Sequence, residues 1–165
     1  MKIPPNNLKE LLSETLTEFH ATEKKLLKSV TQLADSGLTQ ELKTAVSPEG
    51  TNAESQLERL EIVMKNLKLK TSRISSPLSE ELIKLAKDTS GFKKQVSLLK
   101  DAQIIQTALM INQFKISTYH TLHLMLTRLG HNMEATLLEQ SLSESKNNAA
   151  YLLQVAENII YAKTE

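Results

Sequence analysis

Residues 96–129 read VSLLKDAQIIQTALMINQFKISTYHTLHLMLTRL, and their pattern of apolar residues indicates a long helix. Apolar residues recur along it at alternating steps of three and four, the spacing that keeps side chains on one face of an α-helix. The stripe consists of Ile105, Ala108, Asn112, Lys115, Tyr119, Leu122, Leu126 and Leu129. Two of its members, Asn112 and Lys115, are polar and lie one turn apart. The pattern therefore predicts a long helix that carries polar side chains into the middle of a helical core.

The composition of the 165-residue chain favours one compact domain built from helices. The chain is 40% hydrophobic but only 4% aromatic, and it has four glycines, four prolines and no tryptophan. Such a core consists mainly of aliphatic side chains, which favours helix-on-helix packing over a β-sandwich. We therefore predict a single domain that spans residues 1–165.

The charge pattern and the missing cysteines limit the classes of partner and chemistry. The formal net charge is +1, and charges of both signs are mixed along the chain. Because there is no basic stripe, we predict no nucleic-acid partner. The chain has no cysteine, which excludes disulfides and thiolate ligands and fits a reducing compartment. No stretch resembles a signal peptide or a membrane span, so we predict a cytoplasmic protein without a membrane partner.

Apolar periodicity and helix-stop signals divide the chain into four long helices and one short helix. The predicted helices cover residues 7–34, 39–70, 79–88, 92–129 and 133–162. Asn6 or Asn7 can cap the first helix, and Gly37 follows it as a stop. Because Pro48 has no backbone N–H, the second helix should kink there or restart with Ser47 as its cap.

Several short motifs follow one another along the chain in a characteristic order. They are TEKKLLK at 22–28, QLERLE at 56–61, the Asp101-Ala102 opening of the third long helix with Tyr119, and LLEQSL at 137–142. With these motifs the chain resembles the YciF/YciE-like ferritin-like family of bacterial stress-associated proteins, over nearly its whole length. The resemblance implies a ferritin-like four-helix bundle whose long central crossover carries the short extra helix. It also implies a homodimer and a two-metal carboxylate centre.

The metal centre implied by the resemblance transfers poorly to this chain. The positions that match it are Glu23, Glu49, Asn52, Asn112, Lys115, Ser145 and Ala149. Glu23 agrees with the family's first-helix glutamate, whereas Asn112 and Lys115 replace two ligands of the third long helix. Hard cations in a low-dielectric core need several anionic oxygens, and amide, ammonium, hydroxyl and methyl groups do not supply them. We therefore predict no bound metal and no other cofactor.

A lysine ammonium can stand in for the charge of a missing metal ion. We predict that Lys115 forms an ion pair with Glu23 or Glu144 at the mid-height of the bundle, near Asn112 and a buried water. The alternative is a rotated helix that turns Asn112 and Lys115 toward solvent. The flanking apolar stripe leaves little room for that rotation. For Glu23 the alternative is an ordinary surface glutamate whose neighbour one turn back is His20.

The function follows by exclusion, because no catalytic constellation is complete. There is no nucleophile with a plausible base and no glycine-rich phosphate loop. His120 and His123 share a helix face, but one such pair is a weak metal signal. We predict a non-catalytic, metal-free bundle, with a role in stress, that acts through self-assembly or an unidentified protein partner. The alternative is a residual iron or manganese protein or oxidase that uses Glu23, Glu49, Glu144 and a histidine. A small-molecule pocket in the emptied centre is a third possibility.

Overall fold

The computed structural model describes residues 2–91 and 96–164, and within these ranges the chain is helical and has no β-strand. The α-helices are α1 (Leu8–Asp35), α2 (Gln40–Val46), α3 (Ala53–Asn66), α4 (Pro77–Gly91), α5 (Leu98–Arg128) and α6 (Asn132–Val155). A π-helical turn, Ala156–Ile160, and a 3-10 turn, Tyr161–Lys163, continue α6. The predicted all-α fold is confirmed.

The bundle has four sides, formed by α1, by α2 and α3 together, by α5 and by α6. The α5 and α6 helices share the most extensive contact, and α1 packs against α3, α4 and α5. The α4 helix lies in the long crossover between α3 and α5 and packs on α1 and α5. This confirms the predicted bundle with an extra helix in its crossover, while the ferritin-like assignment stays a prediction. None of the described helices combines the length and apolar character that crossing a bilayer requires.

The predicted second helix is two helices rather than one kinked helix. A turn at residues 47–52 separates α2 from α3, because Pro48 cannot donate a backbone hydrogen bond and its ring clashes with the turn before it. Ser47 does not cap α3, since its hydroxyl accepts the N–H of Gly50 at 3.0 Å within the turn. The residue that precedes α3 is Asn52, which has a left-handed backbone (φ 56°) and makes no side-chain capping bond.

The starts of the first and crossover helices are set by capping side chains. Asn7 caps α1 by accepting the N–H of Glu10 at 2.9 Å. The α4 helix begins at Pro77, two residues before the predicted start, because proline suits the first helical position and Ser76 accepts a backbone N–H of the first turn at 3.2 Å. The predicted start of the third long helix, residue 92, lies outside the described residues.

The C-terminal ends of two helices come earlier than predicted. The α3 helix ends at Asn66, and regular α-helix in α6 ends at Val155, where the π-helical turn begins. The predicted turn between α5 and α6 is present. It uses Gly130 with a φ of 82°, and the N–H of His131 donates to the carbonyl of Leu126 at 2.9 Å. This is the usual way in which a left-handed glycine ends a helix.

Asp101, in the first turn of α5, anchors the loop between α1 and α2. Its fully buried carboxylate accepts the N–H of Leu38 at 2.7 Å. It also accepts the N–H and the hydroxyl of Thr39 at 3.0 and 2.9 Å. Three hydrogen bonds accepted by one carboxylate thus fix the position of α2 relative to α5.

Two apolar clusters fill the interior and leave a central level between them. Leu33, Leu42, Ile104 and Leu152 belong to one cluster, and Leu16, Leu60, Leu126 and Leu138 belong to the other. On α1 the two clusters meet around Glu23, because Phe19 belongs to one cluster and Leu26 to the other. Glu23, Asn112 and Lys115 are buried at this level between the two clusters.

Candidate functional site

A layer of polar side chains crosses the interior between the two apolar clusters. We call the polar layer the set Glu23, Gln56, Arg59, Asn112, Lys115, Ser141, Glu144 and Ser145. Its members come from α1, α3, α5 and α6, so that every side of the bundle contributes. Glu23, Asn112 and Lys115 are each at most 5% exposed. The polar layer is therefore a part of the core.

The α1 and α5 half of the layer is centred on the carboxylate of Glu23. Its Oε2 atom lies 3.4 Å from Nζ of Lys115, and the two side chains are 3% and 6% exposed. The hydroxyl of Tyr119 donates to the same oxygen at 2.7 Å. One buried carboxylate is thus held by an ammonium and a phenol that lie one turn apart on α5.

Aromatic packing fixes the position of the Tyr119 hydroxyl. The rings of Phe19 and Tyr119 meet edge to face with centroids 4.8 Å apart, and Phe19 contacts Phe114 in the same way at 6.0 Å. Burial raises the pKa of Tyr119 well above its usual value, and the charge of Glu23 and the hydrogen bond to it add to this rise. Tyr119 is therefore protonated at neutral pH and can donate its hydrogen bond to Glu23.

The α3 and α6 half of the layer contains a two-pronged ion pair. Nη1 and Nη2 of Arg59 donate to Oε2 and Oε1 of Glu144, each at 2.7 Å. Nη1 also donates to the hydroxyl of Ser141 at 3.1 Å. This fork geometry matches a carboxylate closely and is among the stronger ion pairs found in proteins.

The pKa of Glu144 is lowered despite the opposing effect of burial. Burial raises this pKa, but hydrogen bonds from Arg59 and Gln56 and the positive charges of Arg59 and Lys115 outweigh it. Because Lys115 pairs with Glu23 and also acts on Glu144, it links the two halves of the layer electrostatically. Glu23 and Glu144 supply two negative charges, and Lys115 and Arg59 supply two positive ones. The layer is neutral as it stands.

Gln56 connects α3 to the middle of α6. It is fully buried, and its Nε2 lies 3.3 Å from both Oε2 of Glu144 and Oγ of Ser145. Its Oε1 atom is buried and accepts no hydrogen bond within the described part of the chain.

The remaining residues predicted to match the family's metal centre do not converge on Glu23. Glu49 is exposed on the turn between α2 and α3. Asn52 ends the same turn, and its Oδ1 accepts from Nδ2 of Asn148 at 3.3 Å. Ala149 is buried on α6 at 4% exposure and offers only a methyl group. Of the two ion pairs predicted as alternatives, Lys115 lies against Glu23, whereas Glu144 binds Arg59.

The histidines are scattered over the molecule. His20 is 1% exposed and lies 3.4 Å from the carboxylate of Glu61, with its Nδ1 atom unpartnered among the described residues. His123 is bound to the carbonyl of Ala135 at 2.9 Å, while His120 is exposed. His131 precedes α6 in the turn. Within the described residues, no histidine belongs to a group of three or more potential metal ligands.

Sequence reasoning missed Arg59 and Gln56 as members of the interior site. The signal was present in α3, where buried positions recur at Ala53, Gln56, Leu60 and Val63. A glutamine at the second of these positions breaks the apolar stripe, as Asn112 and Lys115 do in α5. Arg59 lies beside the stripe, and its side chain reaches inward. The direction of such a long, flexible side chain cannot be inferred from the sequence.

The residues present do not fit a two-metal carboxylate centre. Within residues 2–91 and 96–164, no three His, Cys, Asp or Glu side chains lie close enough together to hold a metal ion. Glu23 already binds an ammonium and a hydroxyl, and both oxygens of Glu144 bind Arg59. Hard divalent cations require several free anionic oxygens. The polar layer uses its carboxylates to balance its own cations.

Comparisons with known proteins agree over nearly the full length of the chain. The family model of the domain of unknown function DUF892 matches residues 7–165. Protein YciF of Escherichia coli (strain K12) is 27% identical over 161 residues, which are 96% of this chain and 95% of that protein.

Solved structures share the fold. The crystal structure of the E. coli stress protein YciF superimposes with a TM-score of 0.87 at 24% identity. The match covers 96% of this chain and 100% of the YciF chain. YcfI of Rhodopseudomonas palustris, provisionally described as a structural protein, gives 0.84 at 26% identity, with coverage of 94% and 99%. A protein of Xanthomonas campestris gives 0.75 at 17% identity, with coverage of 94% and 95%.

Proposed function

This chain belongs to the DUF892 family, and from that premise we propose that it is a metal-independent, non-catalytic helical bundle with a structural role under stress. The predicted resemblance to YciF-like proteins is confirmed. The names of two similar proteins, a stress protein and a protein provisionally described as structural, support the proposed role.

The observation that carries the proposal is the neutral polar layer. Lys115 and Arg59 supply the positive charge that balances Glu23 and Glu144. Separating a buried carboxylate from its partner leaves an uncompensated charge, which is strongly unfavourable. A metal ion would have to displace these partners and leave two cations beside it. The layer is therefore suited to holding four helices in one register without a metal.

The same burial argues against catalysis at this level. An acid or base must reach the proton that it transfers, within hydrogen-bond distance or through one water. Glu23 and Lys115 are almost completely buried, and Tyr119 is fully buried. These groups bind one another rather than facing solvent. We therefore propose that their role is structural.

We further propose that the protein acts through assembly, as a homodimer in the cytoplasm. Exposed apolar side chains support this proposal, because Leu99, Leu124 and Leu153 are each more than half exposed. An exposed apolar patch on a soluble domain commonly marks an interaction surface. Binding to an unidentified protein partner is the other form of assembly that these side chains allow.

Thermal unfolding with and without metals tests the metal-independent role. A ligand that binds only the folded state raises its stability by mass action. We expect the same unfolding temperature with Fe²⁺, Mn²⁺ or Zn²⁺ in excess as with a chelator. Glu23→Gln replaces a carboxylate with an amide, which is a poorer ligand for a hard cation. Its unfolding temperature should also be the same with and without these metals. A rise in unfolding temperature with one of these metals that disappears in Glu23→Gln would contradict the proposal.

A further inference from the structure

The outer face of α5 carries a stripe of exposed residues with the spacing of a coiled-coil seam. We call the α5 stripe the set Leu99, Gln103, Gln106, Met110, Gln113, Ser117, His120 and Leu124, all of which are exposed. Consecutive members are four and three residues apart in strict alternation, the heptad spacing with which helices pair. Leu99, Met110 and Leu124 are 67%, 45% and 55% exposed.

The α5 stripe has no charged side chain at pH 7, with histidine counted as neutral. This is unusual in a chain with 24% charged residues. Three charged residues of α5 lie between Leu99 and Leu124, and all three are buried. They are Lys100, Asp101 and Lys115. The outer face of a helix that remains in water is normally rich in charge. Depletion of charge is instead a feature of the centre of protein interfaces.

The α5 stripe is also symmetric about its centre, which lies between Met110 and Gln113. When two copies are placed antiparallel about this point, Leu99 meets Leu124 of the second copy at each end. Gln103 then faces His120 of the second copy, and the remaining members pair in the same symmetric way. Leucine thus packs on leucine at both ends, and the next two pairs on each side consist of groups that form hydrogen bonds. At the centre, the thioether of Met110 packs on the aliphatic part of Gln113 of the second copy.

We propose that the α5 stripe is the surface through which two copies of this chain pair, antiparallel about a two-fold axis near Met110 and Gln113. The proposal rests on the homodimer of the proposed function and names its interface. A two-fold interface must be self-complementary, and the α5 stripe meets that requirement through its own sequence. A partner that matches the α5 stripe has an uncharged helix face of the same length. A second copy of this chain has such a face, whereas a charged peptide does not.

The α5 stripe alone supplies about half of the area that an ordinary dimer interface buries, so the surface beside it must contribute the rest. From Leu99 to Leu124 the α5 stripe is about 38 Å long, and a strip about 10 Å wide along it supplies roughly 400 Å² per copy. A stable interface buries roughly 800 Å² per partner. The adjoining groove of about 660 Å³ adds walls from Ala102, Leu109 and the exposed Tyr161. Tyr161 should therefore also become buried in the dimer.

Cysteine cross-linking tests the pairing, because the chain has no native cysteine. The double variant Leu99→Cys with Leu124→Cys should give a covalent dimer with a short bis-maleimide. The two single variants should remain monomeric on a denaturing gel. In an antiparallel pair each new thiol lies about 38 Å from its equivalent in the other copy. Equal cross-linking of the single variants would overturn the antiparallel arrangement.

A charge at the centre of the α5 stripe provides a second test, with a matched control. Met110→Asp places two like charges near the two-fold axis and should weaken dimerisation at least about tenfold in light-scattering titrations. Met133→Asp changes a methionine that lies outside the α5 stripe and is even more exposed, 69% against 45% for Met110, and it should have no effect. If Met110→Asp remains a dimer and the double cysteine variant does not cross-link, this interface is wrong but the homodimer stands. If the wild type is a monomer at high concentration, both the interface and the homodimer are wrong. The thermal unfolding experiment tests metal independence separately.

Discussion

Nζ of Lys115 lies 3.4 Å from Oε2 of Glu23, in the interior of the bundle, where the two side chains are 6% and 3% exposed. Two opposite charges at this depth depend on each other, because neither has water to stabilise it. The pair joins α1 to α5 at the level that separates the two apolar clusters. Its energetic consequences can be measured directly.

Replacing Lys115 with methionine should destabilise the fold by about 3–5 kcal/mol, since it leaves the Glu23 carboxylate buried without a counter-charge. Urea unfolding followed by circular dichroism measures the change. Lys146→Met, which removes an exposed lysine from α6, is the control and should change the stability little.

Adding Glu23→Gln to Lys115→Met should restore part of the lost stability, because the double variant no longer buries a lone charge. The cycle of single and double variants isolates the coupling between the two side chains. Purely additive single-variant effects would mean that the two groups do not interact, contrary to the geometry.

Tyr119→Phe should cost about 1.5–3 kcal/mol, because it removes a hydrogen bond to a charged acceptor in the core. The aromatic contact between Phe19 and the ring at position 119 should survive, since only the hydroxyl is lost. Urea unfolding provides the value. A cost close to zero would show that the 2.7 Å bond to Glu23 adds nothing to the fold.

High pH should destabilise the protein through Tyr119. Its pKa is raised in the folded state, so the unfolded chain loses this proton first and stability falls as the pH rises above about 10. Phenolate absorbance should therefore show a late component that appears only with unfolding and is absent from Tyr119→Phe. Ionisation of all three tyrosines while the protein remains folded would contradict this.

Low pH should destabilise the protein through Glu144. Its pKa lies below 4.5 in the folded state, so its contribution is present above about pH 4.5 and is lost as the pH falls through the lowered value. The stability difference between the wild type and Glu144→Gln should therefore shrink on acidification. The exposed Glu139→Gln provides a control on the same helix. A difference that is independent of pH would contradict this assignment.

Asp101→Asn should loosen the loop between α1 and α2. The carboxylate accepts hydrogen bonds from Leu38 and from both donors of Thr39. Because bonds to charged acceptors contribute about 1.5–3 kcal/mol, we expect a loss of that size and faster amide hydrogen exchange at residues 38–39. Exchange that stays as slow as in the wild type would argue against the anchoring role.

The sequence predicted the class of fold because apolar residues recur at helical spacing along each long helix. It left open whether the second helix kinks at Pro48 or restarts there, and the structure has two helices. A proline is compatible with either a kink or a new helix, and the outcome depends on how the turn packs. The helix ends were also less certain, since local capping bonds such as that of Ser76 decide them.

The sequence indicated the α5 side of the polar layer more clearly than the α3 side. Asn112 and Lys115 interrupt an otherwise continuous stripe, and Lys115 lies beside Glu23, one of its two predicted partners. The second pair, between Arg59 and Glu144, depends on how α3 and α6 are placed against each other. Side chains as long as arginine can reach a partner in several registers, so their contacts follow from the tertiary arrangement.

The metal content of the purified protein measures most directly whether the Lys115 ammonium supplies the charge beside Glu23. The protein should be produced in medium with added iron, manganese and zinc, purified without chelator and compared with Glu23→Ala. We expect far less than one metal ion per chain in both proteins. A full complement of one of these metals in the wild type that is lost in Glu23→Ala would contradict a metal-independent bundle.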